Sequence, residues 1–291
     1  MTRSSFVTRL APLAAATAAI TLLTSGVAGA ADSPGSVGST GSSASTGSTG
    51  SLGSLGSTGP VEPDPLTFDG WDTCPIADPD VATCATVLVR DGSVKIGNLT
   101  VPLPDGSLKI AGGLKYEFKD DGSFDQVFVP APGTNHGVTA NPIDVPGGAL
   151  GIDTPLGLTQ ITAEVEALGT PKVDLFTFSL DLPVRLKLSN PLLGDHCYIG
   201  SADKPINFAL RTPNQTGNDA EAIGDHPGAV FRAIPHEDDT FAVPGPEGCG
   251  GGLLDWAVNL RAGTPSPAGK NSIETVSDIY NVGAYEVDPP A

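Results

Sequence analysis

The residues with chemistry to offer are few, and the cysteines come first. There are four, Cys74, Cys84, Cys197 and Cys249, an even number in a chain that opens with an export-type leader. No two of them have the two-residue spacing of a zinc knuckle, so disulfides are expected rather than a metal centre. Three connectivities are open. The expected one is Cys74–Cys84, closing a small Asp- and Pro-containing loop, with Cys197–Cys249 tying a strand to the loop before a helix. From loop entropy these contribute about 3 and about 4 kcal/mol respectively.

The four histidines follow. His226, His236 and one carboxylate of Glu237-Asp238-Asp239 have the chemistry of a zinc-type site, since imidazole and carboxylate together suit such ions. Solvated loop positions are the simpler reading, and the same reading serves His136 and His196. Asp78 with Asp80, Asp120-Asp121 and Glu237-Asp238-Asp239 lack the spaced oxygen ligands of a calcium loop and are read as turn or solubility residues. No nucleophile elbow, phosphate-cradling loop, dinucleotide fingerprint or zinc-protease helix motif occurs. The sequence therefore assigns no catalytic, cofactor-binding or metal residue; the four cysteines are its site residues.

The elements that must position these groups read as mainly β, a sandwich of antiparallel sheets with one short C-terminal helix. Asp-Gly-Ser at Asp91, Asp105 and Asp121 separates apolar segments and predicts the turns of a β-meander across Val87–Val129. Ala131–Gly148, dense in proline and glycine, predicts an irregular crossing. Two alternating strands follow. One carries Ile161, Ala163, Val165 and Ala167 on its apolar face; the other runs from Phe176 to Leu188 with Pro183 on its polar face, where a bend or a switch between sheets is expected. Leu253, Trp256, Ala257 and Leu260 fall at helical spacing before Gly263 and Pro265, and Trp256 is read as the anchor that packs this helix on a sheet.

Around this domain, residues 1–30 have the pattern of a signal peptide, with Arg3 and Arg9 before an apolar stretch and Ala28-Gly29-Ala30 as the cleavage site. Residues 31–65 are a Gly/Ser/Thr-rich linker expected to stay a coil, and residues 66–291 form a single β-rich domain. The net charge is −18 and becomes more negative once the leader is removed. Such a surface argues against nucleic-acid partners, whose phosphates are held by cationic side chains. No later apolar run is long enough to span a bilayer. A secreted protein, extracellular or loosely associated with the cell surface, is the expected setting.

Pro191-Leu192-Leu193-Gly194-Asp195-His196-Cys197-Tyr198-Ile199-Gly200-Ser201, then Phe241-Ala242-Val243-Pro244-Gly245 before Cys249, then Pro265-Ser266-Pro267-Ala268-Gly269, occur in that order. Over about Thr159–Asn271 the chain resembles a family of uncharacterised secreted proteins of high-GC Gram-positive bacteria. The resemblance implies a secreted β-rich domain with a paired Cys197 and Cys249, and it carries over no catalytic residue because none is established for that family.

Three functions are compatible with these features. The first is a non-enzymatic extracellular structural or binding protein for a cell-envelope ligand, using no cofactor. The second is a secreted hydrolase of polysaccharide or ester substrates built on a carboxylate pair or a dispersed triad. The third is a carrier of an apolar small molecule, suggested by the Leu and Phe face of Phe176–Leu188. For sugar binding, Tyr198, Trp71 and Trp256 are the aromatic candidates. The folded shape discriminates: a cleft with converging acids favours the hydrolase, an unfilled apolar cavity the carrier, and a filled core the surface protein.

Overall fold

Fifteen strands and two short helices build the described part of a computed structural model, which covers residues 63–149, 151, 159–213 and 219–287. The leader and most of the linker lie outside the described residues. A first sheet begins with β1 (Thr83–Ile96), β2 (Leu99–Pro102), β3 (Leu108–Phe118), β4 (Phe124–Pro130) and β5 (Val138–Ala140). A second holds β6 (Ile143–Asp144), β7 (Thr162–Ala167), β8 (Lys172–Asp174), β9 (Ser179–Ser189), β10 (Cys197–Ile199) and β11 (Ile206–Leu210). The chain returns to the first sheet as β12 (Ala220–Ile223) and β13 (His226–Asp238), then adds β14 (Pro246–Glu247) to the second. Helix α1 (Asp255–Ala262), β15 (Ser272–Gly283) and α2 (Ala284–Val287) complete the order. All described strand pairings are antiparallel, and β15 lies at the centre of the first sheet between β13 and β1.

β9 shows how sequence becomes packing here. Leu180, Leu182, Val184, Leu186 and Leu188 are all buried while the residues between them are half-exposed. Each buried leucine contributes about 2 kcal/mol by leaving water. The strand begins later than the alternation suggests: Phe176 is exposed and Phe178 has a φ of 48°, so both lie in the turn before it. Asp174 builds that turn by accepting the Phe176 N–H at 2.8 Å. Pro183 causes no switch between sheets. One side of β9 pairs with β8 over Ser179–Asp181 and with β7 over Val184–Ser189, so the proline falls in the gap between the two partners.

The meander differs from expectation at two of its turns. Asp91-Gly92-Ser93 lies inside β1, at an irregularity in its pairing with β15, and a Cβ on Gly92 would collide with the Glu274 carbonyl oxygen. The hairpin is instead made by Gly97-Asn98, between Ile96 and Leu99. Asp105-Gly106 does turn the chain, but it joins two strands that both pair with β1. Asp121-Gly122 closes the β3–β4 hairpin, where Asp121 accepts the Ser123 N–H at 2.9 Å. The Ser123 hydroxyl, hydrogen-bonded to the same oxygen, holds the Asp121 carboxyl below its ordinary range.

β1 and β13 carry no clean alternation, and one residue of the strand between them shows why. Asp278 of β15 is buried between irregularities on both neighbouring strands, one around Arg90 of β1 and one at Arg232-Ala233 of β13. It accepts Arg90 Nε at 2.9 Å, Arg232 Nη1 at 3.1 Å and the Ala233 N–H at 3.1 Å. Each bulge shifts the inward-facing set of its strand, so a strict period of two is lost in both.

The main core lies between the sheets. A smaller one covers the outer face of the first sheet, where Trp71, Cys74 and Val81 pack on Leu88, Val230 and Tyr280. Cys74–Cys84 pins this N-terminal cover to β1, and Cys197–Cys249 joins β10 to the segment before α1.

Candidate functional site

The two sheets do not close completely on one another. Near α1 they leave an apolar cavity of about 220 Å³, walled by Leu186 and Leu188 of β9, Ala163 of β7, Ile96 of β1 and Val101 of β2. The roof is α1 itself, which turns Ala257, Val258 and Ala262 inward, with Leu254 just before it. A second, smaller chamber of about 60 Å³ lies deeper between the sheets, and Leu186 lines both. Walls of this kind have no partner for water, and an apolar void of about 150 Å³ elsewhere stays dry and accepts benzene.

α1 is fastened at both ends. At its start the Asp255 carboxylate accepts the Cys249 N–H at 2.8 Å, and Cys249 is bonded to Cys197 of β10. At its end Gly263 adopts the left-handed conformation and donates to Asn259 O, while Asn98 of the β1–β2 hairpin donates to Ala262 O at 2.8 Å. Arg261 adds a third tie, from Nε to Gly148 O at 3.0 Å and from Nη2 to Pro146 O at 2.7 Å.

The expectation for Trp256 is corrected by the same geometry. Trp256, Leu253 and Leu260 are 67%, 79% and 75% exposed, so the helical stripe of large residues points outward. A helix over a cavity buries its small side chains and leaves the large ones outside. Leu192 and Ala149, also on the cavity wall, are exposed, so the chamber reaches the surface beside them.

The other sugar-binding candidates are already engaged. Trp71 is buried and donates from Nε1 to Pro227 O at 3.0 Å, and the Tyr198 ring is covered by the Arg185 guanidinium 4.0 Å from its centroid. An aromatic cluster that sequence reasoning missed sits at the β3–β4 hairpin tip: Phe124 meets Tyr116, Phe118 and Phe176 at centroid distances of 5.5, 5.9 and 5.9 Å. Phe118 and Phe176 face solvent. The Asp-Gly hairpin signal located the tip, but only the fold brings Phe176 to it.

The histidine and acid clusters disperse. His226 and His236 belong to one strand, ten residues apart and so separated by roughly 30 Å of extended chain, and neither is a loop residue. Glu237-Asp238-Asp239 straddles the end of that strand, and buried Asp238 caps its own turn through Thr240 N–H and Oγ1 while accepting Ala209 N–H at 2.7 Å. Asp78 is paired with Lys115, whose ammonium holds its carboxyl below the ordinary range. Among the described residues no group of three His, Cys, Asp or Glu side chains is placed to hold a metal ion.

His236 reaches the smaller chamber as a neutral imidazole. Burial pushes its pKa down to about 4, against hydrogen bonds to the backbone of Phe178 and Ile234. In the unfolded chain it titrates near the ordinary histidine value of 6.5. Between these values the unfolded chain binds a proton that the folded one refuses, so stability falls with pH, by up to about 3 kcal/mol. Urea unfolding at pH 7 and pH 4 is expected to show this loss, and His236→Gln to remove that part of it.

No protein-family model, curated protein or solved structure matches the chain. The described domain contains two disulfides and no helix long and apolar enough to cross a membrane.

Proposed function

We propose that this is a secreted binding protein that carries an apolar small molecule between its two sheets. The observation that carries the reading is the roughly 220 Å³ apolar chamber under α1, open at Leu192. A domain whose net stability is normally about 5–15 kcal/mol would not keep such a void at no return, and a ligand that fills it restores the lost contacts. The disulfides and the leader-like N-terminus support an oxidising, extracellular setting, as does the resemblance of Thr159–Asn271 to secreted proteins of high-GC Gram-positive bacteria. The hydrolase reading gains no comparable support, because Asp78, Asp121, Asp174 and Asp238 are spent on turns and ion pairs.

Titration of the full chain, stripped with a hydrophobic resin, with the fluorescent probe N-phenyl-1-naphthylamine tests the reading. Saturable binding at one site is expected. Ala163→Phe and Ala257→Phe fill the chamber from opposite walls, and each should weaken the probe by at least about tenfold, or 1.4 kcal/mol, with the thermal midpoint unchanged or raised. Absence of saturable binding to the native chain, or binding indifferent to both fillings, would overturn it.

A further inference from the structure

The chamber is apolar except for two side chains of its wall, Arg261 and Asn190. Asn190, the other polar group of the wall, spends its carboxamide locally: Nδ2 donates to Gln160 O at 2.6 Å and Oδ1 accepts Leu192 N–H at 2.8 Å. Arg261 is different. Its Nε and one Nη2 hydrogen go to the carbonyls of Gly148 and Pro146, and no described carboxylate pairs with it. A guanidinium has five N–H donors, so three remain after these two bonds. The carbonyls fix the plane of the group without neutralising it. A planar, oriented, unneutralised guanidinium is suited to bidentate recognition of a carboxylate or phosphate.

We infer that the ligand is a single-chain amphipathic anion, its hydrocarbon chain lying beneath α1 and its head held at the rim by Arg261. This rests on the chamber being a ligand site, as proposed above. A wholly apolar ligand is best served by a closed void. This one is open beside Leu192, 62% exposed, so a ligand can bury its chain and keep a charged head in water. The anionic head is the carboxylate of a fatty acid or the phosphate of a monoalkyl phosphate, chemistries that the same guanidinium fork accepts.

Calorimetric titration of the stripped full chain with dodecanoate, dodecyl phosphate and dodecanol, at low and high salt, tests the inference. The anions are expected to bind about tenfold or more tightly than dodecanol, with the advantage shrinking as salt rises. Whichever of the two anions binds more tightly identifies the source of the head. Arg261→Gln should erase the advantage of the anions and leave dodecanol affinity within about twofold, and Arg261→Lys should restore it only in part. Because Arg261 also ties α1 to the 146–148 loop, dodecanol reports whether the chamber itself survives each change. Equal affinity of native protein for all three compounds, or equal weakening of all three by Arg261→Gln, would overturn the inference while leaving the carrier reading intact. Failure of all three to bind the native chain would overturn the carrier reading itself.

Discussion

Replacement of Cys197 and Cys249 together by alanine is expected to lower stability by about 4 kcal/mol, the loop-entropy value for a crosslink spanning 52 residues. The effect should be larger on binding than an entropic argument alone predicts. Cys249 donates its N–H to Asp255, the first residue of α1, so the bond sets where the roof of the chamber begins. Urea unfolding of the double variant should show the stability loss, and titration with the naphthylamine probe should show weaker binding even at temperatures where the domain stays folded. Removing Cys74 and Cys84 should cost about 3 kcal/mol and leave the probe affinity unchanged, because that bond clamps the outer cover of the first sheet, away from the chamber. Equal binding losses in the two double variants would contradict the role given to the Cys197–Cys249 bond.

Asp278→Ala is expected to cost about 2–3 kcal/mol, because a buried carboxylate that accepts three N–H bonds is lost while both arginines keep an exposed acidic partner. The loss has three sources. Arg90 and Arg232 are left facing each other with no anion between them, and the Ala233 N–H loses its acceptor. Ala233 has a φ of 54°, uncommon for a residue with a Cβ, and that hydrogen bond holds it there. Burial disfavours the charged form of Arg90, but its hydrogen bonds to Asp105 and Asp278 outweigh that and raise its pKa further. Asp278→Ala should therefore lower the urea midpoint strongly, whereas Asp105→Ala, which removes an exposed partner of the same arginine, should cost less than about 1 kcal/mol. A comparable cost for both would mean that the centre of the first sheet does not depend on the buried carboxylate.

The strands legible in the sequence were those whose two faces meet different surroundings. β9 announces itself because one face meets the chamber and core and the other meets water, and β7 does so less sharply. β1 and β15 are covered on both faces, by the second sheet inside and by the Trp71 segment outside, so hydrophobicity carries less directional information there. The bulges beside Asp278 then break what alternation remains, which is why His236 reads as a loop residue although it is 6% exposed in a strand. The position of α1 was legible from Gly263 and Pro265, but its orientation was not. Periodicity finds the stripe of large residues and assumes that it is buried, whereas the face that turns inward carries Ala257, Val258 and Ala262. The Leu face of β9 pointed to a carrier, yet a filled core would have had the same pattern.

The double fastening of α1 has a consequence for selectivity. A roof held by a disulfide at one end and by the β1–β2 hairpin at the other is a fixed bar rather than a swinging door. On the carrier reading proposed above, a guest threads beneath it, so admission is governed by girth more than by length. A straight chain or a flat ring would pass and leave its end in solvent, while a branched molecule of equal carbon number would be stopped at the threshold.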